Sequence, residues 1–98
     1  MQMDTLASIL AKRAEIAVIA SKHGATNVRI FGSIARNDAG PDSDLDLLVD
    51  LGPRHSPWFP VRLINDLKQL LNRNIDVVTE RSLHPKLREQ ILREAIRL

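Results

Sequence analysis

The chain has no cysteine among its 98 residues, which excludes a disulfide framework and any thiolate metal site. Aromatic side chains are scarce at 3%: Phe31, Trp58 and Phe59. A single-strand nucleic-acid binder needs aromatic platforms for base stacking, so direct nucleic-acid binding is not expected. Charge of one sign is scarce too. The formal net charge is +2, too small to imply a polyanionic partner by itself. No apolar run approaches the ~20 residues that span a bilayer. The opening residues mix Asp4, Lys12 and Arg13 with apolar ones, unlike a secretory leader. No membrane association is expected, and the default location is cytoplasmic. His23, His55 and His84 lack metal-ligand spacing. No internal repeat or low-complexity stretch is visible.

What remains is one expected domain spanning residues 1–98, with a core that buries about two-thirds of the unfolded surface. Residues 4–23 read as one helix, capped by Asp4 or Thr5 and stopped by Gly24. Leu6, Ile9, Leu10, Ile16, Ala17 and Ala20 fall near one face of it. A short strand follows, from about Asn27 to Phe31, then a small-residue turn at Gly32-Ser33. A polar loop from Asp38 to Ser43 leads to a second strand, Asp44 to Val49. The segment from Pro53 to Pro60 reads as a loop. Trp58 and Phe59 at its end are a lid, a partner surface or, as the favoured reading, an anchor on the core. Pro60 suits the first turn of a helix. Leu63, Ile64, Leu67, Leu70 and Leu71 then make an amphipathic stripe, ended by Asn72-Arg73-Asn74. A third strand, Ile75 to Val78, and a basic terminal helix from about His84-Pro85 complete the chain. Leu87, Ile91, Leu92, Ala95 and Ile96 mark the inner face of that last helix. Its outer face is either simply solvated or a contact for an acidic partner. The pattern predicts an α+β fold, with a mixed sheet of three or possibly four strands and three to four helices.

The stretch from Arg29 to Leu51 carries the chemistry. Side chains alternate along a strand, so Asp44 and Asp46 share one face while Leu45, Leu47 and Val49 point into the core. Two carboxylates ~4 Å apart repel by about 4 kcal/mol at an effective dielectric of 20. A cation between them removes that cost. Gly32 lets backbone approach a ligand, Ser33 adds a hydroxyl, and the segment Ile34–Arg36 can turn its amide groups toward an anion. Arg36 is either a phosphate contact or a solvated arginine. Asn37 tolerates left-handed backbone geometry where the next turn needs it. Asp76 is the one acid in an apolar strand. The helix between the second and third strands makes a crossover, with the two strands parallel if they share a sheet. Asp76 is then either a third carboxylate brought beside the Asp44/Asp46 face, the favoured reading, or an exposed aspartate on an edge strand.

Gly32-Ser33, ten residues, then Asp44-x-Asp46 resembles the signature of the nucleotidyltransferase superfamily that includes DNA polymerase beta. The words V-R-I-F-G-S-I-A-R and D-S-D-L-D-L-L-V look more narrowly like the minimal nucleotidyltransferases, typically antitoxins paired with HEPN-domain toxins. Asn37 departs from the pattern, where glycine usually follows the arginine.

The resemblance implies that Asp44, Asp46 and Asp76 are catalytic and bind metal, two Mg²⁺ ions in all. It implies that Gly32, Ser33, Arg36 and Ser43 bind the nucleotide. Two ions ~3.5–4 Å apart can clamp the attacking and leaving oxygens of an in-line displacement. Asp76 either binds the second ion or accepts the proton of the incoming hydroxyl. ATP is the implied substrate, and the acceptor is a hydroxyl, a tyrosine in the family, of a HEPN RNase toxin. A chain of this size leaves no room for an acceptor domain, which favours a protein acceptor. Two other readings stay open. One is a binding-only antitoxin that acts sterically. The other is the catalytic subunit of a small-molecule, antibiotic-directed adenylyltransferase.

Overall fold

The structure is a computed structural model and describes residues 5–40, 42–55 and 57–98. Asp4 as a helix cap, and Pro41 in the polar loop, lie outside the described residues.

The N-terminal apolar pattern forms two helices rather than one: α1 (Thr5–Leu10) and α2 (Arg13–Lys22). The break falls at Ala11-Lys12. There the Lys12 N–H donates to the Ile9 carbonyl at 3.0 Å, a three-residue closure that tightens the last turn and ends α1. The Lys12 ammonium meanwhile reaches the Leu70 carbonyl at 3.3 Å. Ile9, Ile16 and Ala20 are buried as their spacing predicts, whereas Ala17 is exposed. Gly24 stops the helix with φ +79°. A side chain there would stand 2.5 Å from the Arg54 carbonyl oxygen, so only glycine fits.

Strand β1 (Ala25–Phe31) pairs antiparallel with β2 (Leu45–Leu51). A bulge between Thr26 and Arg29 shifts the register, with Asn27 at φ 50°. The crossover helix α3 (Val61–Leu71) then returns the chain to β3 (Ile75–Val78), which lies parallel to β2. Leu63 and Leu67 are fully buried, and Ile64, Leu70 and Leu71 pack half-buried around them. Each fully buried leucine contributes about 1.5–3 kcal/mol. Asn72 closes α3 in the left-handed conformation, donating its N–H to the Lys68 carbonyl at 2.8 Å. In the preceding loop Phe59 packs against the core and meets His55 edge-on, with ring centroids 6.2 Å apart. Trp58 is 61% exposed, and Phe59 fulfils the anchoring expectation.

A 3₁₀ turn, Glu80–Ser82, leads into α4 (Pro85–Glu94). His84 caps α4, its Nδ1 accepting from the Lys86 N–H at 3.1 Å. The terminal helix stops at Glu94, short of the expected Ile96. Residues Ile96–Arg97 instead form β4, an antiparallel edge strand on β1 with Ile96 opposite Ile30. The edge of β1 would otherwise carry unpaired backbone groups. The pairing continues as the Leu98 N–H donates to the Val28 carbonyl at 3.1 Å.

The sheet order is β3-β2-β1-β4, mixed and four-stranded, in agreement with the α+β expectation. Leu45, Leu47 and Val49 lie on the face that meets α2 and α3, in one cluster with Ile30, Ile75 and Val77. Asp46, Leu48, Phe31 and Arg29 share the opposite face by register. Leu48 and Arg29 are buried there as well. Arg29 is held by the Asp50 carboxylate at 2.7 Å, by Glu80 at 3.4 Å and by the Asn27 carbonyl at 3.0 Å.

Candidate active site

Three strands bring the site together on the sheet face opposite α2 and α3. β1 delivers the Gly32-Ser33 turn at its end, β2 delivers Asp46, and β3 delivers Asp76. Asp46 stands opposite Phe31 on β1 and opposite Asp76 on β3. In-register partners on parallel strands point to the same side, so the crossover aligns two carboxylates. Asp44 sits one residue before β2 begins, on an exposed backbone whose next N–H, that of Leu45, donates to the Asn74 carbonyl at 2.9 Å.

Electrostatics records the convergence. Burial first, then the neighbouring Asp76 and Asp44 carboxylates, push the Asp46 carboxyl above its ordinary value of 3.8, and Arg36 pulls it the other way. Asp46 is half-buried, while Asp44 and Asp76 are exposed. Among the described residues no three carboxylate or imidazole groups close into a ready-made metal cage. Asp44 and Asp76 each lie within electrostatic reach of Asp46 without the three forming one. That arrangement suits a small divalent cation, which keeps several waters and takes one or two protein carboxylates plus substrate phosphate oxygens.

The glycine turn fits closely against this group. Gly32 has φ +79°, and a Cβ on it would collide with the Asp46 carboxylate. After Gly32 the chain makes one helical turn: the Arg36 N–H donates to the Gly32 carbonyl, and the Asp38 N–H to the Ser33 carbonyl, both at 3.1 Å. Ile34, buried, pins that turn to the core. Asn37 takes the left-handed conformation at φ 61°, so asparagine supplies the geometry that glycine would.

Arg36 is half-exposed. Its Nε lies 3.4 Å from Asp38, and another guanidinium nitrogen lies 3.3 Å from Glu94. Asp38 chiefly, and Glu94 after it, hold the guanidinium more firmly in its charged form. Ser43 is engaged elsewhere. Its hydroxyl accepts from the Gly40 N–H at 2.9 Å, and its carbonyl accepts from Arg73 at 3.0 Å, so it staples the polar loop. Glu94, at the end of α4, carries no signal in the sequence, yet its carboxylate accepts from the Gly32 N–H at 3.3 Å. The histidines hold structural places: His23 pairs with Asp66 at 2.7 Å, and His55 with the Gly52 carbonyl at 2.9 Å.

Residues 14–98 match the nucleotidyltransferase domain family. The chain belongs to the nucleotidyltransferase family. It is a minimal domain of that superfamily. A Methanocaldococcus jannaschii chain inferred to be a protein adenylyltransferase is 43% identical to it over 82 residues, covering 84% of this chain and 88% of the relative. The protein adenylyltransferase MntA of Thermococcus cleftensis is 33% identical over 75 residues, covering 76% of each. Among solved structures, one inferred to be a minimal nucleotidyltransferase superposes with a TM-score of 0.84 at 46% identity, covering 99% of this chain and 98% of that one. A toxin–antitoxin complex with AMP-PNP superposes at 0.71 and 20% identity, covering 87% and 70%. The likeness to that complex is one of fold. No helix among the described residues of the nucleotidyltransferase is long and apolar enough to cross a membrane.

Proposed function

We propose that this nucleotidyltransferase moves AMP from ATP to a hydroxyl, a tyrosine's, on a HEPN-type RNase toxin and so silences it in the cytoplasm. One observation carries the reading: the register that sets Asp46 against Asp76, beside a glycine turn whose Cβ position meets the Asp46 carboxylate. The protein adenylyltransferases among its relatives support AMP as the transferred group and a protein as its acceptor.

Asp44, Asp46 and Asp76 would hold Mg²⁺. Hard carboxylate oxygens fit that ion, and burial together with the Asp76 and Asp44 carboxylates disfavours an ionised Asp46, a cost that a cation beside it would relieve. When bound, the metal supplies charge neutralisation for the triphosphate and for the in-line displacement. The chain's own residues do the rest. The Gly32 backbone N–H and the Ser33 hydroxyl receive the β- and γ-phosphates, and Arg36 adds a guanidinium on the same side. The acceptor oxygen attacks the α-phosphorus, forming a new O–P bond. The bond from that phosphorus to the bridging oxygen breaks, and pyrophosphate leaves. Asp76, exposed at the edge of the group, takes the hydroxyl proton. Ser43 serves this site indirectly, by fixing the loop that leads to Asp44.

The test is to incubate the protein with labelled ATP, Mg²⁺ and its toxin, then measure the intact mass of the toxin. Addition of whole adenylyl groups is expected, and none with the paired substitution Asp44→Asn/Asp46→Asn. Transfer at the parent rate by that variant would place the chemistry elsewhere.

A further inference from the structure

We propose that Glu94 is a built-in competitor of the nucleotide: its carboxylate occupies the anion-binding turn and must leave before the triphosphate enters. This deepens the reading above and rests on the triphosphate being received at Gly32 and Arg36. The same oxygen, Glu94 Oε1, accepts from the Gly32 N–H at 3.3 Å and from the Arg36 guanidinium at 3.3 Å. These are one of the backbone donors and the one cation assigned to the phosphates. A single N–H cannot serve two anions fully, and two anions on one arginine repel each other. The Glu94 side chain is only 18% exposed, so it sits within the turn rather than over it.

The contacts are suited to exchange. Both lie beyond the ~2.9 Å of a strong N–H···O bond. Helix α4 buries no residue completely, and Leu87 on it is 52% exposed. Chain continuity on the far side is firm, because β4 holds Ile96 against Ile30. The carboxylate is therefore placed reproducibly by β4 and released readily by α4. Its consequence is a nucleotide affinity set below what the turn alone would give.

Binding of AMP-PNP with Mg²⁺ tests this by calorimetry on the parent chain, Glu94→Gln, Glu94→Ala and Glu89→Gln. Glu94→Gln keeps the shape and an acceptor oxygen while removing the charge. Both Glu94 variants are expected to bind about ten- to a hundredfold tighter, the worth of one charge-assisted hydrogen bond. Glu89→Gln, on the exposed side of the same helix, should match the parent. In transfer assays the KM for ATP should fall with kcat kept. Hydrogen exchange supplies a readout free of activity: AMP-PNP should speed exchange of the last amides of α4 in the parent and leave Glu94→Gln unchanged. Equal or weaker binding by the Glu94 variants, or a fall in kcat at constant KM, overturns the proposal and leaves the adenylyl-transfer reading intact. No binding by any of the four chains would overturn both.

Discussion

Gly32 is constrained twice, by backbone and by neighbour. Its φ of +79° disfavours any side chain, and a Cβ would strike the carboxylate of Asp46. Gly32→Ala should therefore lower transfer about 10²-fold, the cost of an ångström-scale displacement of reacting groups, with circular dichroism little changed. Asp46 gives a pH-dependent prediction. Its folded pKa lies above its unfolded value, so its favourable contribution is complete below about 3.8 and is lost as pH rises through the raised value. Without divalent cation, Asp46→Asn should melt higher than the parent at neutral pH, and the difference should vanish as pH falls below 4. A constant difference across that range would remove the electrostatic account of the site. With Mg²⁺ and ATP the parent should gain stability and the variant should gain less. At this scale the sequence was legible where chemistry and spacing coincide: Gly32, Asp44, Asp46 and Asp76. It was silent on Glu94, whose contact to Gly32 joins residues far apart in the chain. Nothing local to a glutamate at the end of a basic helix distinguishes it from a solvated one.

Among the elements, α3 and β3 could be read almost residue by residue, and β2 apart from Leu48, which is buried on the second face, and its extension to Leu51. The crossover rule then supplied the parallel pairing that brings Asp76 to Asp46. Two elements escaped. The Ala11-Lys12 break lies inside a continuous apolar periodicity, and it is a backbone event that periodicity does not encode. The two-residue β4 continues the amphipathic pattern of α4, so only the unpaired edge of β1 decides its conformation. The position of Asp76 depends on α3, and this can be checked. Leu67→Ala should cost about 2–5 kcal/mol in urea unfolding, as expected for a buried leucine. Arg29 tests the other side of the sheet. It was not singled out in the sequence, but it is 9% exposed and ties β1 to Asp50 and to the 3₁₀ turn at Glu80. Arg29→Ala should cost about 1–3 kcal/mol without abolishing transfer. A loss within error of zero would mean that these pairs exchange equally well with water.

For the whole molecule, the proposed function turns on whether a toxin partner is modified or merely held. A transferase turns over, so one copy should silence many toxins when ATP and Mg²⁺ are present. The silenced toxin should stay inactive after repurification, since a phosphodiester linkage does not dissociate. A steric antitoxin would need one copy per site and would release active toxin on removal. For the HEPN-type RNase proposed as partner, residual activity of the repurified toxin, with its intact mass, separates the two outcomes. The parallel pairing of β2 with β3 has one more consequence, for the order of synthesis. Asp46 leaves the ribosome with β2, but its partner Asp76 arrives only after the whole of α3 has been made. Closing that long loop is slow relative to local helix formation. A nascent chain therefore carries the glycine turn and two aspartates before it carries a complete site, and a chain cut after Asn72 should neither retain AMP-PNP nor transfer its nucleotide.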